Sequence, residues 1–137
     1  MIERYSRKEI KSIWEDYNRY SIWLEIELAA AEAMEKLKII PEGVVKKVKS
    51  KAKINPKRIL QIENKVKHDI IAFLTSITER AGKEARYLHK GMTSSEVLDT
   101  CFNLQLKKSG EILLKDINQL LKSIKKQALK HIFTLCI

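Results

Sequence analysis

The sequence predicts an all-α protein, and three features of composition and pattern support that prediction. The 137 residues include only four glycines and two prolines, and 45% of the chain is hydrophobic while 32% is charged. This balance is typical of an ordered chain with one core. Apolar residues recur at helical spacing along most of the chain. We divide it into an N-terminal helical domain, residues 1–92, and one long helix in residues 93–137.

The first fifty residues predict three helices. Ser6 and Glu9 have the spacing of a capping box, which opens the first helix. The second is expected to run from a polar break at residues 16–18 to about Lys38, and a short amphipathic helix follows the Pro-Glu-Gly turn at residues 41–43. The apolar faces expected for these helices are Ile10, Ile13, Trp14 and Tyr17, then Trp23, Ile26, Ala30, Met34 and Leu37, then Val44, Val45 and Val48.

Two more helices are predicted on either side of residues 67–69. Asn55 before Pro56 is typical of an N-cap and a first turn, and Gly82 ends the second of the two helices. Their apolar positions are Ile59, Ile62 and Val66, then Ile70, Phe73, Leu74 and Ile77.

The interruption between these helices consists of Lys67, His68 and Asp69. Together they offer a cation, an imidazole and a carboxylate. An aspartate beside a histidine can fix the tautomer of its ring only if the backbone turns the two side chains together. The sequence leaves two interpretations open, a plain helix junction or a binding cluster.

The long helix is predicted to start at Thr93, within the stretch YLHKGMTSSEVLDT at residues 87–100. Thr93 and Glu96 have the spacing of a second capping box. A helix N-terminus favours anions, so the hydroxyls of Thr93 and Ser94, close to His89, predict an anion site. The simpler alternative is that these residues only cap the helix.

An apolar stripe continues from Thr93 over roughly ten turns. Its members are Val97, Leu98, Cys101, Leu104, Leu113, Ile117, Leu120, Leu121, Ile124 and Ala128. The short helices before it cannot cover such a length, so partner helices from more chain or from other subunits are expected. The apolar residues 132–137 add to the expectation that the chain stops within a larger helical architecture.

Several classes of function lack support in the sequence. The net charge of +10 favours an anionic partner, yet the lysines are scattered and no pattern typical of nucleic-acid binding occurs, so none is predicted. Cys101 and Cys136 lack ligand spacing, so we predict no metal site. We predict no cofactor either. No signal peptide and no apolar run of about 18 residues occurs, which favours a cytoplasmic protein without membrane contact.

Four segments, in order, resemble the adenylosuccinate lyase family of the fumarase and aspartase superfamily. They are MIERYS, KHDIIAF, HKGMTSSEVLDT and LLKDINQLLKSIKKQALKH. The resemblance implies the N-terminal helical domain of that superfamily followed by the first long helix of a central bundle, which a homotetramer shares. It also implies β-elimination of fumarate from adenylosuccinate, giving AMP, and from succinylaminoimidazole carboxamide ribotide in purine biosynthesis.

The resemblance assigns substrate-binding roles to eight residues. Nucleotide contacts fall on Arg4 and Tyr5, substrate contacts on Lys67, His68 and Asp69, a phosphate contact on His89, and a succinyl carboxylate contact on Thr93 and Ser94. Two positions differ from the family, since Lys67 replaces an arginine and Glu96 an aspartate. Lysine keeps the charge but loses the planar two-pronged grip on an oxyanion.

The same resemblance places the catalytic acid histidine and the base serine beyond Ile137. The 137-residue chain is therefore expected to be inactive alone and to act as part of the complete polypeptide. Two alternatives remain, a non-catalytic helical-bundle interaction module and a truncated relic.

Overall fold

Six α-helices form most of the chain in the computed structural model, which describes residues 2–135. Their bounds are Lys8–Trp14 (α1), Asp16–Lys36 (α2), Val44–Lys51 (α3), Pro56–Val66 (α4), Asp69–Ala81 (α5) and Ser94–Lys130 (α6). Two 3-10 helices, Glu3–Tyr5 and Gly82–Tyr87, precede α1 and follow α5. The described residues contain no strand, so the predicted all-α class is confirmed. Of the apolar end predicted at residues 132–137, Cys136 and Ile137 lie outside the described residues.

The segment from Arg7 to the first turn of α2 runs antiparallel along α6. As the chain advances from residue 7 to residue 19, its partners on α6 move back from residue 116 to residue 101. The contacts are the ion pair of Arg7 with Asp116, Trp14 Nε1 with Ser109 Oγ at 3.1 Å, the Gln105 amide with the Ile13 carbonyl at 2.7 Å, and Cys101 Sγ with the Arg19 carbonyl at 3.8 Å. This register places Arg7, just before α1, far along α6 and the first turn of α2 near the start of α6.

The core lies where α2, α4 and α5 meet the first turns of α6. Trp23 packs edge-on against Tyr20 and Phe73, with ring centroids 5.1 and 5.5 Å apart. Val97 of α6 and Ile70 of α5 are fully buried in the same cluster. Burial of each large side chain contributes about 2–3 kcal/mol, so this cluster fixes α5 and the start of α6 in relation to α2.

Several predicted boundaries are confirmed. Asn55 accepts the N–H of Arg58 at 3.1 Å and Pro56 is the first residue of α4, as the sequence indicates. Gly82 ends α5 with φ at +79°, a conformation that glycine adopts without strain.

The capping box predicted at Ser6 is wrong. The hydroxyl of Ser6 donates to the Ile2 carbonyl at 2.8 Å, which closes the preceding 3-10 turn. Arg7 becomes the N-cap of α1, and no side-chain hydrogen bond caps this helix. Tyr17, expected on the first apolar face, is 60% exposed because the first helix ends at Trp14 and α2 starts at Asp16.

The second predicted helix ends two residues early. Lys36 is the last residue of α2 and Lys38 has φ at +58°, so Leu37 leaves the apolar stripe and is 70% exposed. Val66, at the end of α4, is also largely exposed. Both residues stand where a helix stops, so the periodicity that predicted their burial no longer applies to them.

The long helix α6 begins and continues as predicted, without a break at Gly110. Its buried residues are confined to the first third, at Val97, Cys101 and Gln105. The later apolar stripe is exposed, at Leu113, Leu114, Ile117, Leu120, Leu121, Ile124 and Leu129. The expectation that the preceding helices cannot bury this stripe is confirmed. Within residues 2–135, no helix joins the length and the apolar character that crossing a membrane requires.

Candidate functional site

The start of α6 forms the capping box that the sequence predicts. Thr93 is extended, with φ −101° and ψ 159°, and its backbone N–H donates to Glu96 Oε2 at 2.5 Å. Its side chain accepts the N–H of Glu96 in return. A hydroxyl that accepts one hydrogen bond still has a hydrogen to donate. Thr93 and the adjoining Ser94 can therefore offer donors to an anion at the positive end of α6.

His89, four residues before Thr93, is held by the carboxylate of Glu27 on α2. The backbone N–H of His89 donates to Glu27 Oε2 at 2.6 Å, and its ring Nδ1 lies 2.7 Å from Glu27 Oε1. Glu27 is 1% exposed, and the His89 side chain is 17% exposed. With both carboxylate oxygens accepting, we assign the ring hydrogen to Nδ1. Nε2 is then the ring nitrogen that can meet a ligand.

The backbone of His89 also has an uncommon conformation, with φ at +60°. For a residue other than glycine, this left-handed conformation costs about 1–2 kcal/mol of stability. The hydrogen bond from the His89 N–H to buried Glu27 is a charge-assisted bond that stabilises this conformation. Glu27 thus fixes the loop that leads into Thr93.

The cluster of Lys67, His68 and Asp69 is the junction between α4 and α5. Lys67 ends α4 in the left-handed region, at φ +56°. His68 is the N-cap of α5, and its Nδ1 accepts the N–H of Ile71 at 3.4 Å. Asp69 Oδ1 accepts the N–H of Ile70 at 2.7 Å and lies 3.5 Å from His68 Nδ1. The junction interpretation is therefore correct for the backbone, and it still leaves three polar side chains at a helix N-terminus.

Asp69 also lines a cavity of about 240 Å³ between the start of α5 and the first turns of α6. Leu98, Trp23 and Phe102 line the same cavity. Leu98 is one turn beyond Ser94 on α6, and the other lining residues of α6, Cys101, Phe102 and Gln105, lie further along the helix, away from the capping box.

Arg4 and Tyr5 lie apart from this group. They belong to the 3-10 helix before α1, where the Arg4 guanidinium lies 4.7 Å from the centroid of the Tyr5 ring. Arg7 pairs with Asp116, which stands roughly 33 Å along α6 from Ser94 at about 1.5 Å per residue. Three residues of chain span about 10 Å at most. In one chain, Arg4 therefore lies some 20 Å or more from the start of α6.

Glu27 is the residue that the sequence analysis missed. It follows Trp23 by one helical turn, so it stands on the buried face of α2, where a charged residue is rare unless it has a partner. An acidic residue on an apolar stripe was the signal that could have found it. Its partner is 62 residues away in sequence, and local pattern does not reveal such a distant pairing.

Comparison with known proteins places this arrangement in a family. A protein family described as "Lyase" matches residues 4–137. The chain belongs to this lyase family. It is 44% identical over 137 residues to adenylosuccinate lyase from Synechocystis sp. and 42% identical over 134 residues to adenylosuccinate lyase from Bacillus subtilis. These matches cover 100% and 98% of the chain, but only 32% and 31% of the two lyases, so the chain spans about a third of their length.

Two solved structures share the fold of the chain. The chain superimposes on a fumarate lyase from Mesorhizobium sp. with a TM-score of 0.83 at 22% identity, covering 91% of the chain and 30% of that protein. It superimposes on β-carboxy-cis,cis-muconate cycloisomerase from Acinetobacter calcoaceticus with a TM-score of 0.80 at 25% identity, covering 90% and 31%. The arrangement of α1 to α6 is thus a fold that these two solved structures also contain.

Proposed function

We propose that this chain is the N-terminal part of an adenylosuccinate lyase and supplies substrate-binding groups to its active site. The observation that carries the proposal is the capped N-terminus of α6, where the hydroxyls of Thr93 and Ser94 follow the loop in which Glu27 holds His89. We call these three residues, Thr93, Ser94 and His89, the proposed anion cradle. The similarity to two adenylosuccinate lyases over nearly the whole chain supports the same substrate. A succinylated purine nucleotide carries both carboxylate and phosphate anions, and such a cradle suits them.

The proposed reaction is a β-elimination that releases fumarate. A base removes a proton next to a carboxylate, hydrogen-bond donors stabilise the resulting aci-carboxylate, and an acid protonates the leaving nitrogen. Thr93 and Ser94 would hold a succinyl carboxylate, and His89 would meet the phosphate. Lys67, His68 and Asp69 would line the substrate site. We assign no catalytic acid or base within these 137 residues.

We also propose that the active site is shared between copies of the chain. Arg4 and Tyr5, the proposed nucleotide contacts, lie some 20 Å or more from the start of α6 in one chain, by the helix rise used above. They could reach the same nucleotide only from another subunit. The exposed stripe of α6 offers the surface on which such subunits would associate, and a homotetramer in the cytoplasm is the proposed assembly. In this assembly residues 1–92 form a peripheral helical domain and residues 93–137 a bundle helix.

The experiment that tests the function uses the complete polypeptide with Thr93→Ala and Ser94→Ala, assayed for fumarate release from adenylosuccinate. The lyase hypothesis expects each variant to raise the KM for adenylosuccinate at least tenfold, since a hydrogen bond to a charged group contributes about 1.5–3 kcal/mol. The matched control is Ser95→Ala, which removes a neighbouring exposed hydroxyl and should leave KM unchanged.

The competing interpretation is a non-catalytic helical module in which Thr93 only caps α6. It expects Thr93→Ala to cost about 1 kcal/mol of stability, with no fumarate released by the unaltered protein. Absence of fumarate release from the complete, folded polypeptide would refute the lyase proposal.

A further inference from the structure

We propose that Glu27 is a positioning residue that sets the hydrogen of the His89 ring and directs Nε2 towards the phosphate of the substrate. Glu27 is not among the residues that the sequence resemblance assigns to the site. The part of the proposal that concerns phosphate rests on the proposed function, whereas the part that concerns the ring does not.

The geometry of the pair supports this role. Glu27 accepts two hydrogen bonds from one residue, at 2.6 Å from the His89 backbone N–H and at 2.7 Å from Nδ1. Its side chain is fully buried in the structure, so water cannot replace either partner. A buried carboxylate that lost them would keep a large desolvation cost. The ring and the backbone of His89 are therefore fixed by the same group.

The chemistry of the pair explains why a carboxylate is needed. Phosphate oxygens accept hydrogen bonds, so His89 must present a hydrogen on Nε2 to bind them. Nδ1 already carries its hydrogen towards Glu27, so a ring that donates from Nε2 is a doubly protonated imidazolium. The charge of this imidazolium is balanced by Glu27 on one side and by the phosphate on the other. Glu27 thus lets His89 bind a phosphate monoester as a cation.

Glu27→Gln tests this reasoning because it changes one oxygen into an NH₂ group of nearly the same size. The backbone N–H of His89 can only donate, so it takes the single amide oxygen. The NH₂ group then faces Nδ1, which must accept, and the hydrogen of the neutral ring moves to Nε2. Protonation of both ring nitrogens of His89 in this variant would set the Nδ1–H against the amide NH₂ group, two donors without an acceptor between them. The matched control is Glu25→Gln, an exposed residue on the same helix.

The first measurement is nitrogen NMR of histidine-labelled full chain, read on the neutral form of each ring. The chain has three histidines, and substituting His68 and His131 in turn assigns the signals. We expect the hydrogen on Nδ1 in the unaltered protein and in Glu25→Gln, and on Nε2 in Glu27→Gln. A hydrogen on Nε2 in the unaltered protein overturns the proposal, and this result does not depend on any variant that fails to fold.

The second measurement is kinetic and uses the complete polypeptide. Glu27→Gln should raise the KM for adenylosuccinate about tenfold, the equivalent of one lost charge-assisted bond, and change kcat little, because the phosphate is remote from the bond that breaks. In a His89→Gln background, Glu27→Gln should add nothing further. An equal rise in KM in both backgrounds would refute action through His89. If the unaltered polypeptide releases no fumarate, the proposed function fails, while the NMR result still decides whether Glu27 sets the ring.

Discussion

The ion pair between Arg7 and Asp116 ties the chain before α1 to a point deep in the long helix. Asp116 lies roughly 33 Å from the start of α6 at about 1.5 Å per residue, and Trp14 and Gln105 continue the same antiparallel register towards that start. The two groups of proposed substrate contacts are therefore separated within one chain. This separation leads to the first prediction.

A spin-label distance measurement checks the separation. Lys8→Cys with Ser95→Cys, both exposed positions, should give an intrachain distance of roughly 30 Å, from the rise of α6. The native cysteines at positions 101 and 136 are replaced beforehand. In the complete polypeptide, mixing chains labelled only at position 8 with chains labelled only at position 95 should add a shorter distance between subunits. If the mixed sample shows only distances beyond the intrachain value, Arg4 and Tyr5 do not share a site with Thr93 of another subunit.

The exposed stripe of α6 gives a second prediction. Ile117 and Leu121 are 59% and 61% exposed and stand one turn apart, so they belong to one face. Ile117→Glu with Leu121→Glu should abolish self-association, because two charges would be buried without partners at the helix contact. Analytical ultracentrifugation of the complete polypeptide measures the change.

The control for the second prediction changes charge on the same segment away from the stripe. Lys115→Glu and Lys122→Glu, both at exposed positions, should leave the assembly intact. Far-UV circular dichroism should show that both double variants keep α1 to α5 folded, since the described contacts of Ile117 and Leu121 leave more than half of each side chain exposed. Equal association of the two double variants would show that the stripe is not the contact surface.

Lys67 provides a third prediction, in which stability and function move in opposite directions. Its φ of +56° is favourable for glycine and costly for other residues, so Lys67→Gly should stabilise the fold by about 0.5–1 kcal/mol. The same change removes a cation from the proposed substrate site and should raise the KM for adenylosuccinate. Lys65→Gly, within the last turn of α4, is the control and should destabilise by about 1 kcal/mol. Urea unfolding compares the two. Destabilisation by both variants would contradict the role of the left-handed backbone.

Local sequence predicted most of the fold because most of the boundaries depend on local chemistry. The caps at Asn55 and Thr93 are formed by residues three positions apart, and both are confirmed. Ser6 has the same kind of pattern, yet its hydroxyl closes a 3-10 turn with Ile2. The capping box and the turn are both local solutions for a serine, and the sequence alone does not rank them.

The candidate site was predictable only in part, for a physical reason. His89, Thr93 and Ser94 could be recognised from their place before a helix N-terminus. The pairing of Glu27 with His89 could not be recognised, because it depends on α2 packing beside the start of α6, which the burial of Trp23 and Val97 in one core determines. Pairings between distant segments follow from the packed core and not from spacing along the chain.

Cys101 gives the last prediction, which depends on pH. Burial raises the pKa of the Cys101 thiol, and this effect outweighs the opposing influence of the neighbouring Trp23 indole and of the nearby charge of Arg19. The thiolate is the reactive form, so Cys101 in a Cys136→Ser variant should react with iodoacetamide slowly at pH 8 when folded and rapidly in denaturant. The raised pKa means that the folded state holds the thiol proton more tightly than the unfolded state does. The resulting stabilisation of the fold is fully present below the unfolded pKa, near 8.5. It is lost as the pH rises through the folded pKa. Mass spectrometry of the modified thiol gives both rates, and equal rates in the folded and unfolded chain would show that Cys101 is not shielded at the contact between α2 and α6.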